Sequence, residues 1–469
     1  MNPPGSVIIA WNNIYLDLVR KIGGAPGPLA RIGGLMHWAM YEAVNRLTAG
    51  TPYLVDKFLA AADIKNPATG TVVGPPAAEA STAAAYAACY ALTGLLDQYI
   101  AEARAMQGGA LNPFDPFQVR TGADTGVLAH IIPPAATQAE KDADAYGRAI
   151  ATAVIKAHNA TPGFNMTPTH AFNHQPGEWR NTGSGMALTP NWGEVPMLYG
   201  LNATHYAPQV LNPYNSYATL LASDLYARDL AEVQRLGATD SRVRTREQTE
   251  IAFFWANDLN GTSKPPGQLY TITQIVAKQQ GTLANIGAGA GADSGLLQTA
   301  RLFAMVGTAM LNASIVAWRA KYFLPGPAAN KLLRVWRPET AIRLANNDGN
   351  PATAADPNWQ PLSPMNDGTR FSPNFPAYVS GHSTFGAAHA AAMRTFFGRD
   401  AIAFTATTED PHALRDENGV RRTRRFQSFS QAAMENGRSR VYLGVHYQFD
   451  ADGGYEIGMA VGQATAAKF

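Results

Sequence analysis

The sequence predicts a mainly α-helical protein. Over much of the chain, apolar residues recur every three or four positions, which is the period of one face of an α-helix. Thr137 with Glu140, and Thr245 with Gln248, match the capping box that opens many helices. Alternating β-branched segments bounded by tight turns are scarce, so few strands are expected.

The predicted helices follow one another from the amino terminus. Ile14, Leu18 and Ile22 lie on one face of the first, and residues 35–47 repeat that spacing in the second. Further segments with the helical pattern are residues 78–100, 137–157, 217–236, 245–257, 298–322, 384–397 and 426–443. Apolar stretches such as residues 313–318 are too short to cross a bilayer, so we expect a soluble protein.

Residues 160–214 divide the helical pattern into two parts. This stretch is dense in Pro, Gly, Asn, Trp and His, has no periodicity, and is far longer than an ordinary connection. Long loops of this kind often line or cover a functional site. We therefore predict an amino-terminal helical half, residues 1–214, that includes the loop. A carboxy-terminal helical half, residues 215–469, would carry the pocket.

Composition narrows the class of protein. The 469 residues are 46% hydrophobic and 15% charged, which is enough apolar material for a large core. Lys and Arg number 37 against 35 Asp and Glu, so the chain lacks the basic excess that general nucleic-acid binding favours. A single cysteine excludes an internal disulfide. No secretory leader is visible, so a cytoplasmic location is the default expectation, and a homo-oligomer stays open.

Three short motifs in the last third of the chain carry side chains suited to a tetrahedral oxyanion. They are WRPETAIR with Arg337, FPAYVSGHSTFG with Ser380, Gly381 and His382, and SRVYLGVHYQFD with Arg440, His446 and Asp450. Arginine presents paired N–H donors to oxyanion oxygens, and a turn that opens a helix directs backbone N–H groups toward an anion. If the segment is helical, the spacing of four between His446 and Asp450 lets the carboxylate orient the imidazole.

These motifs resemble those of the vanadium-dependent haloperoxidases, which share a fold and anion pocket with class A acid phosphatases and type 2 phosphatidic acid phosphatases. The family pattern is K-x6-R-P, then P-S-G-H, then S-R-x5-H-x3-D. The third motif matches fully, and the second departs only at Val379. The resemblance extends through MHWAMYEAVNRL, PGEWR, LTPNWGEV, TREQTEIAFFWAND and AWRAKY, and is greatest to the soluble bacterial branch. It implies two helical-bundle halves of the haloperoxidase and acid phosphatase type.

The first motif departs from the family spacing. Counting back seven residues from Arg337 gives Asn330, and Lys331 lies one position out of register. AWRAKY is similar to the family's lysine-bearing helix end, so Lys321 is the preferred equivalent, with an insertion at about residues 323–331. Lys331 remains the alternative.

The resemblance implies a vanadate cofactor, with phosphate as an alternative occupant of the same site. It implies that His446 is the metal ligand. It also implies that His382, His446 and Lys321 are the catalytic residues. The implied donors to the equatorial oxygens of vanadate are Lys321, Arg337, Ser380, Gly381 and Arg440. His382 would contact the apical oxygen or help deprotonate hydrogen peroxide. Asp258 and Asp450 would support an arginine and His446 respectively.

Trp318 and Phe375 occupy the positions of the halide neighbours in chloride-oxidising members of the family. By composition alone, both are equally well explained as core aromatics. The preferred function is oxidation of a halide by hydrogen peroxide to hypohalous acid, with a small organic molecule as a further acceptor. A phosphomonoesterase that uses His446 as nucleophile is the runner-up, and a degenerate oxyanion-binding homologue is the third alternative.

Overall fold

The computed structural model describes residues 3–48, 58–77, 79–106, 135–165, 167–168, 172–183, 186–284, 294–323 and 334–469. It confirms the mainly α class, because these residues form thirteen α-helices and one two-stranded sheet. The helices are α1 (Ser6–Ile22), α2 (Pro26–Leu47), α3 (Ala80–Met106), α4 (Gln138–Ala157), α5 (Tyr217–Leu221), α6 (Asp224–Leu236), α7 (Arg246–Ala256), α8 (Lys264–Gln279), α9 (Ser294–Tyr322), α10 (Pro338–Arg343), α11 (Gly381–Phe397), α12 (Phe429–Tyr442) and α13 (Gln448–Ala466). Strands β1 (Phe404–Ala406) and β2 (Arg424–Phe426) pair antiparallel, with Phe404 opposite Phe426.

Helix α9 is the central element of the core. It packs along α2 on one side and along α11 and α13 on the other. By length and composition it is long and apolar enough to cross a membrane. This was not predicted from the sequence, in which only short apolar stretches such as residues 313–318 were considered. However, 94% of its most apolar window is buried inside the protein. The helix is therefore used here as a core helix, whose apolar surface is covered by its neighbours.

Helices α11 and α13 hold the second and third motifs close together. Gly454, Gly458 and Gly462 recur every four residues of α13 and face α11. A Cβ atom built on Gly458 would lie only 2.4 Å from the backbone oxygen of Thr384. The glycines therefore allow the two helix backbones to approach more closely than any larger residue would permit.

The two predicted capping boxes form as expected. The Thr137 hydroxyl accepts a hydrogen bond from the Glu140 amide at 3.2 Å, and the Thr245 hydroxyl accepts one from the Gln248 amide at 3.1 Å. In each box the Glu or Gln side chain returns to the Thr backbone N–H. These pairs satisfy donors that the first helical turn leaves free, and they fix where α4 and α7 begin.

The structure differs from the helix predictions in two ways. Residues 217–236 form two helices instead of one, because the Ser223 hydroxyl accepts a hydrogen bond from the Tyr226 amide and caps a new helix. Helices α8, α10 and α13 were not predicted. Proline occupies the first turn of α8 and α10, where it is tolerated, and α13 is rich in glycine.

The long loop packs against the central helix. Trp192 is fully buried and donates from its indole nitrogen to the Ser314 hydroxyl at 2.8 Å, while the Leu198 amide donates to the Asn312 side chain at 2.8 Å. Both partners belong to α9. The loop is therefore anchored to the core close to the motif-bearing helices. A division of the chain at residue 214 stays a prediction.

Candidate active site

His446 and Asp450 form a buried pair where α13 begins. His446 precedes the helix and Asp450 lies in its first turn, so their spacing of four spans the helix start. His446 Nδ1 lies 2.8 Å from Asp450 Oδ2, which also accepts the Tyr447 amide at 3.1 Å. Burial raises the pKa of Asp450 to about 7. Burial, followed by Arg337 and Lys321, lowers the pKa of His446 well below its usual value, so its imidazole is neutral.

The hydrogen bonds of His446 fix its tautomer. Arg337 Nη1 lies 3.0 Å from His446 Nε2, and a guanidinium can only donate. Nε2 is therefore the unprotonated nitrogen, and Nδ1 carries the proton that it donates to Asp450. The pair holds a lone pair on Nε2, which accepts the Arg337 hydrogen bond in this structure and is the nitrogen that would bind a metal or an electrophile in place of that donor.

Two buried arginines converge beside this imidazole. Arg337, just before α10, also donates from Nε to the Phe375 carbonyl at 2.8 Å and from Nη1 to the Val445 carbonyl at 2.7 Å, but its Nη2 has no partner among the described residues. Arg440, in the last turn of α12, donates from Nη2 to Asp258 Oδ2 at 2.6 Å, while its Nε and Nη1 have no partner in the part of the chain that the structure describes. Burial lowers the pKa of Arg337 to about 9. Buried N–H groups without acceptors are costly, so the two guanidiniums form a cluster that favours an anion.

Asp258 keeps its charge beside Arg440. Burial raises the pKa of this carboxyl group, but the charges of Arg440, His382 and Lys264 lower it by more, and the net shift is downward. Asp258 is thus an ionised partner that fixes one edge of the Arg440 guanidinium. The remaining edges of Arg440 stay available to a ligand.

The second motif opens helix α11. The Ser380 hydroxyl caps the helix by accepting the Ser383 amide at 3.4 Å, and the Ser380 amide donates to the Asp450 carbonyl at 2.9 Å. His382 Nε2 lies 3.0 Å from the Ala256 carbonyl, so this nitrogen carries the proton and Nδ1 is the basic atom. Burial, together with Arg440, lowers the pKa of His382 to about 4.

Lys321 is fully buried and directed toward the second motif. Its Nζ donates to the carbonyls of Pro376 at 2.9 Å and Ala377 at 3.1 Å, and also to the Val379 carbonyl. These bonds engage all three N–H groups of the ammonium. Burial, followed by the charge of Arg337, lowers the pKa of Lys321 well below its usual value. The alternative Lys331, like Asn330, lies outside the described residues.

The predicted halide neighbours lie against each other. The ring centroids of Trp318 and Phe375 are 5.2 Å apart with planes tilted by 48°. Phe375 also lies under two cations, with Lys321 Nζ at 4.9 Å and Arg337 Cζ at 4.7 Å from its ring centroid. The pair therefore provides an apolar wall backed by positive charge.

One cavity of about 410 Å³ connects these groups to the surface. The motif residues that line it are Asp258, Gly381, His382, Arg440 and His446, together with Trp318 and Phe375. The other lining residues include Gly24, Pro26, Thr182, Gly183, Leu188, Lys264, Pro265, Glu339, Met365, Thr369, Arg370, Phe371, Ser372, Pro373, Asn374 and Phe385. Lys321, Arg337, Ser380 and Asp450 are buried behind this surface.

Sequence reasoning missed Lys264. This residue is 7% exposed, lines the cavity, and has a left-handed backbone with φ of 61°. Its Nζ donates to the Asp258 carbonyl and lies 3.2 Å from Asn260 Oδ1. A positive φ at a residue other than glycine is strained and often occurs at functional sites. No signal in the sequence marks Lys264, because the lysine follows a loop and precedes two prolines.

The chain is similar to known proteins over nearly its full length. The model of the VCPO second helical-bundle domain matches residues 301–469. The vanadium chloroperoxidase of Curvularia inaequalis is 26% identical over 510 residues, which cover 96% of this chain and 80% of that protein. These matches confirm the resemblance to the vanadium-dependent haloperoxidase family.

Solved structures share the fold. The structure described as the first bacterial vanadium-dependent iodoperoxidase superposes with a TM-score of 0.71 and 21% identity, covering 100% of this chain and 97% of that chain. A holo-type bacterial vanadium-dependent chloroperoxidase gives a TM-score of 0.63 and 15% identity, covering 96% and 93%. The helical architecture of the chain is therefore that of the bacterial vanadium haloperoxidases.

Proposed function

We propose that this relative of the vanadium-dependent haloperoxidases is a peroxidase that oxidises a halide with hydrogen peroxide to hypohalous acid. The proposal rests on two neighbouring features. Buried guanidinium nitrogens of Arg337 and Arg440 have no hydrogen-bond partner among the described residues, and the lone pair of His446 Nε2 lies beside them. A small, multiply charged oxyanion satisfies both features at once.

The residues fit vanadate. His446 Nε2 is an imidazole nitrogen of the kind that binds metals, and Asp450 holds its other nitrogen in the required tautomer. Arg337, Arg440 and the Gly381 turn are the donors that would hold the oxygen atoms, whose negative charge they would balance. When bound, vanadate supplies Lewis-acid activation of hydrogen peroxide without a change in its own oxidation state.

Lys321 contributes to this arrangement through the second motif. Because its N–H groups are bonded to carbonyls of residues 376–379, it holds the backbone that leads into Ser380 and Gly381. The charge of Asp450 opposes the lowering of the Lys321 pKa and so favours the charged ammonium. The lysine thus positions the donors of the site.

His382 is the proton acceptor of the proposed reaction. Its Nε2–H is bonded to the Ala256 carbonyl, so the basic Nδ1 is the atom that would take a proton from hydrogen peroxide. With a pKa lowered to about 4, the imidazole is unprotonated at neutral pH, so Nδ1 has a lone pair to accept that proton, although the low pKa also makes it a weaker base. Asp258, whose carboxylate lies 3.9 Å from His382 Nε2, would stabilise the imidazolium that results.

The aromatic wall gives the halide a weakly solvating environment. Trp318 and Phe375 offer few hydrogen-bond donors, so a halide beside them would lose much of its hydration and become a better nucleophile. The guanidinium and ammonium groups behind Phe375 would offset the charge of the halide.

A phosphomonoesterase is the second candidate, and the orientation of His446 favours it. A neutral imidazole with an unprotonated Nε2 and a carboxylate on Nδ1 is the arrangement of a histidine nucleophile, and the same arginines would bind phosphate. A chain that binds an oxyanion without turnover is the third candidate.

Two assays on the same protein rank these functions. The chain is incubated with orthovanadate, and peroxide-dependent halogenation of a phenolic dye is followed with chloride, bromide and iodide in turn. Hydrolysis of p-nitrophenyl phosphate is measured without vanadate. Dye halogenation that requires orthovanadate supports the proposal, whereas phosphate hydrolysis alone favours the phosphatase. Inactivity in both assays would leave only oxyanion binding.

The variant His446→Ala tests whether His446 is the ligand of vanadate. It should abolish vanadate-dependent halogenation while the helical circular dichroism spectrum stays unchanged. His412→Ala is the matched control, because this histidine is not among the residues that line the cavity. Full activity of His446→Ala would contradict the assignment of His446 as ligand.

A further inference from the structure

Met365 lines the same cavity as the residues of the proposed reaction site. Among the described residues it is the only methionine that lines the cavity, and 43% of its surface is exposed. His382, Arg440 and His446 line the same cavity but are buried. A product formed beside these buried residues would therefore share the cavity with the Met365 side chain.

The backbone holds Met365 in this position. Its amide donates to the Thr369 carbonyl at 2.7 Å, and its carbonyl accepts the Gly368 amide at 3.0 Å, which closes a tight turn. The Phe371 amide then donates to the Ser363 carbonyl at 3.2 Å and pins the base of the turn. Because both ends are hydrogen-bonded, the thioether is presented to the cavity by an ordered segment.

Met365 is also the most oxidisable group that the cavity exposes. A thioether is soft and nucleophilic, and it is converted to a sulfoxide by two-electron oxidants. The indole of Trp318 is fully buried. The single thiol in the sequence, Cys89, is not among the residues that line the cavity.

We propose that Met365 is a self-oxidation site, at which hypohalous acid made in the cavity converts the thioether to a sulfoxide during turnover. The inference rests on the proposed haloperoxidase function. The oxygen of hypohalous acid forms a bond to sulfur as the oxygen–halogen bond breaks, and a halide ion and a proton are released. Sulfur loses two electrons and the halogen gains them, so the halide returns to the reaction.

This modification changes the wall of the cavity. A flexible apolar side chain becomes a polar one that accepts hydrogen bonds, and cellular sulfoxide reductases can reverse the change. The cavity wall at Met365 would therefore become more polar as more hypohalous acid is produced.

Met434 provides an internal control. It is 56% exposed, more than Met365, and it lines a separate surface groove on α12. Oxidation by hypohalous acid in bulk solution should follow exposure and favour Met434. Oxidation by acid that is still in the cavity should favour Met365.

The test is peptide mapping by mass spectrometry after a limited turnover. The chain loaded with orthovanadate receives bromide and a small amount of hydrogen peroxide, with excess serum albumin to intercept hypobromous acid that has left the cavity. We expect several-fold more sulfoxide at Met365 than at Met434. Reagent hypobromous acid added from outside, without albumin, should oxidise Met434 at least as much as Met365.

Each other outcome has a defined meaning. Equal oxidation of the two methionines during turnover, or oxidation of Met365 to the same extent without bromide, would overturn the inference. A parallel dye assay without albumin separates the two proposals. Dye bromination without preferential oxidation of Met365 overturns the self-oxidation site alone, whereas absence of halogenation with every halide overturns the haloperoxidase function and the inference together.

Discussion

Arg440 Nη2 lies 2.6 Å from Asp258 Oδ2, while Nε and Nη1 of the same guanidinium have no partner within the described segments. The carboxylate thus holds one edge of the arginine and leaves the other donors for a ligand. This geometry requires a planar group with several donors, which lysine does not supply.

We therefore expect Arg440→Lys to weaken binding of phosphate and vanadate. The loss of charge-assisted hydrogen bonds costs about 1.5–3 kcal/mol, or roughly 10-fold to 100-fold in the dissociation constant. Isothermal titration calorimetry with each anion measures the change. Arg438→Lys, two residues earlier on the same helix, is the matched control, since Arg438 pairs with Glu232 and not with cavity residues. Equal affinities in the wild type and Arg440→Lys would contradict the assigned role.

The low pKa of His382 predicts an acid limit for activity. Burial and Arg440 lower this pKa to about 4, and the proposed role requires the unprotonated Nδ1. As the pH falls through about 4, the imidazole gains a proton and loses its basicity, so kcat/KM for hydrogen peroxide should fall. Above that value the rate should be nearly independent of this group.

The profile of His382→Ala checks this assignment. The variant should have a lower plateau, by roughly 100-fold or more for the loss of a general base, and should lack the limb near pH 4. Circular dichroism at each pH separates this limb from acid unfolding. An unchanged limb in the variant would assign it to another group.

Much of the fold could be predicted from the sequence, because the long helices have regular apolar spacing and two of them open with capping boxes. Helix α13 was missed because its glycines are poor helix formers locally. These glycines are needed because α11 packs closely against α13. That contact joins two helices that are separated in the sequence, so local sequence patterns do not reveal it. Proline at the start of α8 was likewise easier to interpret as a break than as a first turn.

The residue types of the candidate site could be predicted from the sequence, but which of them face the cavity could not. The motif spacing and the family resemblance identified Arg440, His446 and His382, all of which line one cavity. Lys321 was expected to contact the oxyanion, yet its N–H groups are bonded to backbone carbonyls. The backbone course of residues 363–375 helps to determine which groups face the cavity. The sequence of this segment has no periodic pattern from which that course could be predicted.

The bonds of Lys321 predict a stability effect. Lys321→Met keeps the apolar stem but leaves the carbonyls of Pro376, Ala377 and Val379 without their donor. Each buried acceptor that loses its partner costs about 1–3 kcal/mol. We expect a lower free energy of unfolding in urea, with Lys278→Met, an exposed residue at the end of α8, as the control that changes little. An unfolding free energy equal to that of the wild type would show that the carbonyls find other donors.

The packing of α13 on α11 predicts that Gly458→Ala damages the site from a distance. The added Cβ would lie 2.4 Å from the Thr384 carbonyl and 2.8 Å from the Ala387 side chain, so the helices must separate. Overpacking of this kind costs about 1–3 kcal/mol. Because α11 carries His382 and α13 carries Asp450, the separation should also weaken phosphate binding. Gly74→Ala is the control, as no atom of the described residues lies within 4 Å of its Cβ position. Calorimetry and urea unfolding measure both effects, and a loss of stability with unchanged phosphate affinity would show that the site does not depend on this helix contact.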